Sequence, residues 1–265
     1  MLTSLQNPLV KQIKKLHQTK ERRQQQLFLL EGTHLLEAAV TVERPLAILC
    51  YTIAWQTKHA SLCEQAHQLA SRIELVSADV LRSLATTVEP DGVVAIVERT
   101  STPEPTFSSL GLVLETIQDP GNLGTMIRTA AAAGAEGLLL SADSVDFDHP
   151  KVLRSSAGQW FRLPMGMNAD LPSALRQYQQ QGMQIIATMP TAPLTYWQVD
   201  LRRPTLILLG NEGAGLSPAL TALADQQVTI PLSPGVESLN VAIAAALILY
   251  EAKRQRTADK PQVNG

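Results

Sequence analysis

Three loops in the second half of the chain hold the side chains best suited to chemistry. The first reads QDPGNLGTMIRT, where Asn122 is placed to cap a helix and Arg128 lies nearly two turns into it. Because guanidinium stays protonated in proteins, Arg128 can hold a phosphate or stabilise a developing negative charge, but it is a poor general base. A capped helix with one surface arginine is the simpler alternative. The loop follows an apolar strand, which favours a ligand site, since open α/β sheets bind ligands at the carboxyl ends of their strands.

The second loop is GNEGAGLS, which follows the apolar run TLILL without a break. Its glycines, Gly210, Gly213 and Gly215, predict a tight turn, and a glutamate inside such a turn, Glu212, is unusual. A dinucleotide-binding loop is the obvious competitor. The glycine order here is G-x-x-G-x-G rather than G-x-G-x-x-G, which disfavours a nicotinamide or flavin site.

The third loop, IPLSPGVESLNV, joins a short strand to a long apolar helix. Ser238 is a good N-cap for that helix. Asn240 is harder to explain as packing, because a buried amide at the start of an apolar helix needs hydrogen-bond partners. The helix is apolar from Leu239 to Tyr250 except at Asn240, so we expect it to be buried in a core or against another subunit.

Apolar strands alternate with helices along the chain, which indicates an α/β fold with a mostly parallel sheet covered by helices on both faces. The segment RTSTPEPTFSSLG, rich in Pro, Ser and Thr, interrupts this alternation and predicts a linker. We therefore expect a small α/β domain over 1–98, a linker over 99–109, a larger domain over 110–256 and a tail over 257–265. The last helix is predicted over 238–254.

Basic residues are concentrated at the N-terminus, although the chain as a whole carries a formal charge of -2. Residues 1–23 contain six lysines and arginines against one glutamate. Such a run can neutralise phosphates even on a mildly acidic protein. A solvated helix face is the alternative interpretation.

Cysteine usage and hydropathy bear on compartment and metal binding. Cys50 and Cys63 lack metal-ligand spacing, which predicts no metal site and a reducing compartment. The sequence has neither the apolar core of a signal peptide nor a run long enough to span a membrane, so we expect a cytoplasmic protein. A mitochondrial presequence over 9–27 is disfavoured, because the segment is rich in Lys and Gln rather than Arg and Ser.

Taken together, the three loops resemble the motifs of the SpoU/TrmH family of S-adenosylmethionine-dependent RNA 2'-O-ribose methyltransferases, within the SPOUT superfamily. The matching patterns are N-x-G-x-x-x-R at 122–128, G-N-E-G-x-G at 210–215 and I-P-x-x-x-G-x-x-S-L-N-V at 230–241. The segment HPKVLRSSAGQWFRLP also resembles the family's connector between the first two motifs. Each motif alone is weak, but their order and spacing together are specific.

The resemblance implies a site, a cofactor and a fold. The catalytic set would be Asn122, Arg128, Glu212, Ser238 and Asn240. S-adenosylmethionine would be bound, largely through backbone groups, at Gly210, Ile230 and Leu239. The catalytic domain would be an α/β sheet threaded into a trefoil knot, and it would form a homodimer with the active sites at or near the interface.

The resemblance extends upstream and implies an RNA substrate. The stretch from LTSLQNPLVKQ to LLEAA, with PDGVVAIV, resembles the accessory RNA-binding domain of members that act on ribosomal RNA. Asn7, Lys11 and Arg22 would be RNA contacts in that domain. We therefore expect an enzyme that methylates 23S ribosomal RNA. A transfer-RNA ribose methyltransferase and an RNA-binding module that has lost catalysis are the alternatives, and a base-methylating relative would be expected to carry different motifs.

Overall fold

The computed structural model describes residues 1–100 and 104–258. Residues 101–103 of the predicted linker and 259–265 of the predicted tail lie outside the described residues. The chain forms two compact units, one of Met1–Ser101 with Asp146–Phe161 and the other of Thr102–Val145 with Arg162–Gly265. This differs from the contiguous division expected from the sequence, which assigns 146–161 to the larger domain. Within the described ranges, none of the helices has the length and apolarity needed to cross a membrane.

Strands and helices alternate through both units. The strands are β1 (Leu27–Glu31), β2 (Ile48–Tyr51), β3 (Ile73–Leu75), β4 (Val93–Glu98), β5 (Leu110–Leu114), β6 (Gly137–Ser141), β7 (Met165–Asn168), β8 (Gln184–Thr188), β9 (Leu194–Thr195), β10 (Thr205–Leu209) and β11 (Gln226–Thr229). The helices are α1 (Pro8–Lys15), α2 (Thr19–Gln25), α3 (Thr33–Thr41), α4 (Ile53–Lys58), α5 (Ala60–Leu69), α6 (Ala78–Leu84), α7 (Pro120–Ala133), α8 (Pro150–Ser155), α9 (Leu171–Gln180), α10 (Pro218–Thr221) and α11 (Val241–Ala258). Short 3-10 turns occupy Gln159–Phe161 and Tyr196–Gln198.

The first unit is built on a four-stranded sheet in the order β1-β4-β2-β3. β4 is antiparallel to both of its neighbours, whereas β2 and β3 are parallel. Side chains alternate across the sheet: Phe28 and Leu30 belong to one apolar cluster and Leu29 to another. Both faces of the sheet are therefore covered, as the small α/β domain requires.

The second unit contains a seven-stranded sheet in the order β7-β6-β5-β10-β8-β11-β9. Every pairing in this sheet is parallel. β5 and β10 are buried at every residue, as expected for strands with helices on both faces. The predicted α/β class and the mostly parallel sheet are confirmed, while the knot stays a prediction of the resemblance.

The last helix begins later and ends later than its sequence pattern predicts, since α11 spans Val241–Ala258 rather than 238–254. The reason is the cap. Asn240 Oδ1 accepts hydrogen bonds from the backbone N–H groups of Ala242 and Ile243 at 2.9 and 3.3 Å, so Asn240, and not Ser238, satisfies the free donors of the first turn. Ser238 remains in the preceding loop.

Candidate active site

The first two loops meet because they leave neighbouring strands. β5 and β10 are adjacent and parallel, with Leu114 opposite Leu209, so the residues that follow each strand share one edge of the sheet. α7 starts at this edge, and its N-cap is Asp119, whose Oδ1 accepts from the backbone N–H groups of Gly121 and Asn122. The prediction that Asn122 caps this helix is wrong, and its side chain is consequently available for other contacts.

Glu212 receives three hydrogen bonds at this edge. Its Oε1 accepts from Asn122 Nδ2 at 3.1 Å and from the backbone N–H of Asp119 at 3.2 Å, and its Oε2 accepts from the backbone N–H of Gln118 at 3.3 Å. Burial opposes ionisation of Glu212, but the hydrogen bonds from Asn122 and the backbone outweigh it and hold the pKa of Glu212 below its usual value. Glu212 is therefore an ionised acceptor at neutral pH.

Asn122 and Asn240 continue this network into the third loop. Because a carboxylate can only accept, Asn122 must turn its amide nitrogen toward Glu212 and its oxygen outward. Asn122 Oδ1 then accepts from Asn240 Nδ2 at 2.9 Å, and Asn240 Oδ1 caps α11. One side chain from each loop thus forms a single chain of hydrogen bonds, Glu212–Asn122–Asn240.

The second loop is shaped so that it presents Glu212. Asn211 and Gly215 exchange two backbone hydrogen bonds, each 3.0 Å long, which folds the loop back on itself. A Cβ on Gly210 would lie 2.1 Å from the carbonyl carbon of Gly215, so only glycine fits there. Asn211 Oδ1 accepts from the N–H groups of Gly213 and Ala214, and its Nδ2 donates to Thr116 O at 2.8 Å.

A cavity of about 320 Å³ lies beside this network. All three positions predicted to bind a cofactor, Gly210, Ile230 and Leu239, line it. Glu212 and Ser238 line it as well, so it contacts the second and third loops together. Its size is typical of a small-molecule site.

Arg128 lies apart from the hydrogen-bonded trio. It is six residues after Asn122 on α7, which places it about 9 Å along the helix and roughly 120° around it. Its side chain is exposed, and within residues 1–100 and 104–258 it makes no hydrogen bond or ion pair. The structure therefore brings together four of the five predicted catalytic residues and leaves Arg128 on the surface of the same helix.

The predicted RNA contacts of the first unit have three different environments. Asn7 caps α1, its Oδ1 accepting from Leu9 N–H at 2.9 Å. Lys11 is exposed on the same helix, where Lys14 and Lys15 share that environment. Both observations are compatible with an RNA-facing α1.

Arg22 requires a correction, because its side chain is fully buried. Its guanidinium contacts Asp148 at 3.1 Å and Asp146 at 3.5 Å, and donates to Thr19 and to two backbone carbonyls. A buried cation held in this way has no donor left for phosphate. Arg22 instead fixes the Asp146–Phe161 segment within the first unit.

A profile of the SpoU rRNA Methylase family matches residues 109–250, which contain all three loops. The chain belongs to the SpoU rRNA Methylase family. A second profile, the MRM3-like substrate binding domain, matches residues 7–95 of this family member.

Relatives align with this SpoU methylase along nearly its whole length. An uncharacterised tRNA/rRNA methyltransferase of Synechocystis is 51% identical, covering 97% of this chain and 94% of the relative. The 23S rRNA (guanosine(2553)-2'-O)-methyltransferase RlmP of Bacillus subtilis is 33% identical over 95% of this chain and 98% of its own. The crystal structure of the SpoU methyltransferase AviRb of Streptomyces viridochromogenes in complex with the cofactor AdoMet has a TM-score of 0.85 and 30% identity, covering 96% of this chain and 100% of that one.

Several residues of the three loops and the cavity were not predicted from the sequence. Asp119 and Asn211 shape the loops, and Thr188, Thr229 and Glu237 line the cavity. Asp119 could have been found, since Asp before Pro is a strong N-cap signal. Thr188 and Thr229 end their strands without any distinctive motif, so only the parallel sheet brings them to the cavity.

Proposed function

We propose that this SpoU family member transfers the methyl group of S-adenosylmethionine to a ribose 2'-hydroxyl of 23S ribosomal RNA. The observation that carries the proposal is the Glu212–Asn122–Asn240 network beside a cavity lined by Gly210, Ile230 and Leu239. The names of the relatives support it, since RlmP acts on a 2'-O position of 23S rRNA and AviRb was crystallised with AdoMet.

The cavity residues fit S-adenosylmethionine in shape and charge. Ile230, Leu239 and Met189 supply apolar walls, and three residues without side chains, Gly210, Gly213 and Gly215, also line the cavity. Two carboxylates, Glu212 and Glu237, line it, and none of the described residues around it is Lys, Arg or His. An acidic lining suits a ligand that carries a sulfonium and an ammonium group.

Methyl transfer places separate demands on the side chains around the cavity. Bound S-adenosylmethionine supplies an electrophilic methyl group. Arg128 would hold the RNA phosphate and ribose and stabilise the alkoxide as the 2'-hydroxyl loses its proton to a phosphate oxygen or water. Glu212 fixes Asn122, and Asn122 fixes Asn240, so these side chains would orient substrate and loop rather than move a proton. Ser238 would complete the site from the cavity wall.

The first unit would bind the RNA that the second unit methylates. Four lysines, Lys11, Lys14, Lys15 and Lys20, are exposed along α1 and α2, and one acidic residue, Glu21, lies among them. Such a face can neutralise several phosphates. The substrate-binding profile over residues 7–95 supports this assignment.

The second unit would form a homodimer. α11 packs on α7 and on the 3-10 turn Tyr196–Gln198, whereas Ile243, Leu247 and Tyr250 on its opposite side are 50%, 37% and 50% exposed. A row of apolar side chains three and four residues apart is the pattern of a helix that packs against a partner. Because Arg128 lies away from Asn122 within one chain, an interface at α7 and α11 would let each copy complete the other's site.

Two further assignments rest on the family rather than on the described geometry. The second unit would be threaded into the trefoil knot of the SPOUT superfamily. The reaction would take place in the cytoplasm, because that is where its ribosomal RNA substrate is made and assembled. Among the described residues no cluster of His, Cys, Asp or Glu could hold a metal ion.

Comparing 2'-O-methylation of ribosomal and transfer RNA from cells with and without this protein tests the proposal. We expect one 23S site to be lost and restored by the unsubstituted protein but not by Asn122→Ala. Loss of a transfer-RNA site instead would favour the first alternative. Unchanged RNA, together with no binding of S-adenosylmethionine in calorimetry, would favour a module that has lost catalysis.

A further inference from the structure

Thr116 has a backbone conformation that its side chain disfavours. It lies between β5 and the first loop, and its φ is 55°, in the left-handed region. Glycine adopts this region readily and asparagine occasionally, whereas a β-branched side chain rarely does. Thr116 is the only β-branched residue with such a φ among the described residues. Because strain of this kind persists only where the surrounding structure enforces it, the neighbours of Thr116 must hold it in place.

The contacts that hold Thr116 come from two sides. On one side, Ser141 Oγ accepts from its backbone N–H at 2.7 Å, and Asp143 Oδ2 accepts from its hydroxyl at 2.8 Å. Ser141 ends β6, the strand paired with β5, and Asp143 belongs to the turn that follows, residues 142–145, which we call the β6 loop. On the other side, Asn211 Nδ2 donates to Thr116 O at 2.8 Å. The backbone N–H, the carbonyl and the hydroxyl of Thr116 are therefore all hydrogen-bonded.

The β6 loop also fixes Ile117. The Ile117 N–H donates to Ser144 Oγ at 3.0 Å, and the Ile117 carbonyl accepts from Val145 N–H at 2.8 Å. The next two backbone N–H groups along the chain donate to the carboxylate of Glu212. The β6 loop therefore sets the path of the chain from β5 to the residues that contact Glu212.

On the basis of the proposed function, we propose that Asp143 is a positioning residue for methyl transfer, which acts through the Thr116 hydroxyl to hold Asn122 and Glu212 in place. Neither Asp143 nor Thr116 lines the cavity, so both act at a distance from the cofactor. A displacement of about 1 Å at a reacting group can lower a rate about 100-fold, so a contact that fixes the start of the first loop bears on the rate.

The charge of Asp143 strengthens this contact. Hydrogen bonds from Ser141 and Thr116 hold the pKa of Asp143 below its ordinary value, so its carboxylate is ionised at neutral pH. Hydrogen bonds to an ionised acceptor are stronger than those between neutral groups. A glycine at position 116 would relieve the backbone strain but would leave this carboxylate without the hydroxyl. The hydroxyl therefore gives a reason for a threonine at a position whose φ favours glycine.

Thr116→Gly and Thr116→Ser separate the hydroxyl from the backbone conformation. Glycine adopts the positive φ freely but has no hydroxyl, whereas serine keeps the hydroxyl. In methyl transfer to ribosomal RNA, we expect Thr116→Gly to lower kcat about tenfold and Thr116→Ser to stay within about twofold of the unsubstituted protein. The KM for RNA, and the Kd for S-adenosylmethionine in calorimetry, should stay within about threefold in both variants. Full kcat in Thr116→Gly would overturn the proposal, because the turn alone would then suffice.

Asp143→Ala tests the other partner of the same hydrogen bond. It should lower kcat by the same factor as Thr116→Gly, and the double variant should lower it no further, because one contact can be lost only once. Two losses that multiply in the double variant would overturn the proposal. A loss of affinity for S-adenosylmethionine as large as the loss of kcat would also overturn it, since the cavity itself would then have changed.

Glu136→Ala is the matched control. Ser108 Oγ donates to Glu136 Oε1 at 2.7 Å, which is the same kind of hydroxyl–carboxylate contact. Ser108 precedes β5 and Glu136 precedes β6, so this contact joins the same two strands at their opposite ends. Glu136→Ala should lower the melting temperature and leave kcat unchanged. A tenfold fall in its kcat would overturn the proposal by showing that any loosening of these strand ends slows the reaction.

Failure of the inference differs from failure of the proposed function. If the unsubstituted protein methylates ribosomal RNA and both Thr116→Gly and Asp143→Ala retain its kcat, only the inference is overturned. If the unsubstituted protein transfers no methyl group from S-adenosylmethionine to ribosomal RNA, the proposed function fails and the inference fails with it.

Discussion

At the scale of single residues, Glu212, Asn122 and Asn240 are joined by hydrogen bonds, whereas Arg128 makes none within the described residues. Glu212 and Asn122 are 90 residues apart in the chain, and Asn122 and Asn240 are 118 apart, yet each pair is hydrogen-bonded. The sequence predicts these residue types because the three motifs contain them. It does not predict that these residues contact one another. The sequence predicts that Asn122 caps α7, but Asp119 is the cap, and the Asn122 side chain bonds Glu212 and Asn240 instead.

Arg128→Ala should abolish methyl transfer while leaving cofactor binding unchanged. Arg128 does not line the cavity, so calorimetry with S-adenosylmethionine should give the same affinity for Arg128→Ala and for the unsubstituted protein. Loss of a cation that stabilises a developing alkoxide should lower the rate at least about 100-fold. Arg176→Ala, which removes an exposed arginine from α9, is the control and should retain the full rate. Equal loss of affinity and rate in Arg128→Ala would contradict the assigned role.

The ionised Glu212 makes stability depend on pH. Its folded-state pKa is lowered from the ordinary 4.5, so its contribution is present above that pH and is lost as the pH falls through the folded value. In urea unfolding, the unsubstituted protein should therefore be more stable than Glu212→Gln at pH 7. This difference in the free energy of unfolding should become smaller as the pH falls to 4. A constant difference across this range would show that folding does not lower the pKa of Glu212.

At the scale of elements, the strands were the most predictable part and the element ends the least. Apolar runs such as TLILL identify buried strands directly, but the start of α11 depends on whether Ser238 or Asn240 caps it. Both are good capping residues, and in the structure the cap is Asn240, whose Nδ2 also donates to Asn122. The pairing of β5 with β10 could not be predicted either, since pairing between strands 95 residues apart leaves no local sequence pattern.

Gly210→Ala should disrupt the second loop and the cavity together. The new Cβ would lie 2.1 to 2.3 Å from backbone atoms of Gly215 and Leu216, which no side-chain rotation relieves. We expect about 1–3 kcal/mol of destabilisation in urea unfolding and loss of S-adenosylmethionine binding in calorimetry. Gly134→Ala is the comparison. Gly134 ends α7 at φ 87° with open space around it, so the substitution should lower the free energy of unfolding by about 1 kcal/mol and leave S-adenosylmethionine binding unchanged.

A charge on the exposed face of α11 should separate the proposed dimer. Leu247→Glu would place a carboxylate within the apolar row formed with Ile243 and Tyr250, where burial against a partner would be costly. Sedimentation should give the mass of a dimer for the unsubstituted protein and of a monomer for the variant. Gln180→Glu, on the exposed surface of α9, should remain dimeric. A monomeric unsubstituted protein would refute the proposed interface.

At the scale of the whole molecule, the two units are not divided by the linker alone. The Pro-rich segment marks one boundary, but Asp146–Phe161 also belongs to the first unit. Arg22 and Glu31 bind this segment through Asp146, Asp148 and Arg154, from more than 100 residues away in sequence. The sequence shows Arg22 only as one member of a basic run, because burial cannot be read from local charge.

Arg22→Ala and Lys11→Ala should separate folding from RNA binding. Removing Arg22 leaves two buried carboxylates with fewer partners, since Arg99 and Arg23 each pair with one of them, and should cost about 3 kcal/mol in urea unfolding. Lys11→Ala should leave stability within about 0.5 kcal/mol, weaken RNA binding, and lower the slope of log affinity against log salt by about 1. Unchanged RNA affinity in Lys11→Ala would contradict the assignment of Lys11 on α1 to the RNA-binding surface.

The position of Asp146–Phe161 also decides how this protein could be cut into parts. A fragment beginning at residue 104 would retain that segment but lose the β1 and α3 residues that bury Leu153 and contact Trp160. It would expose apolar side chains and leave Asp146 and Asp148 without Arg22. Truncation at the linker should therefore yield an aggregation-prone catalytic piece, so the two units of this chain should be expressed together.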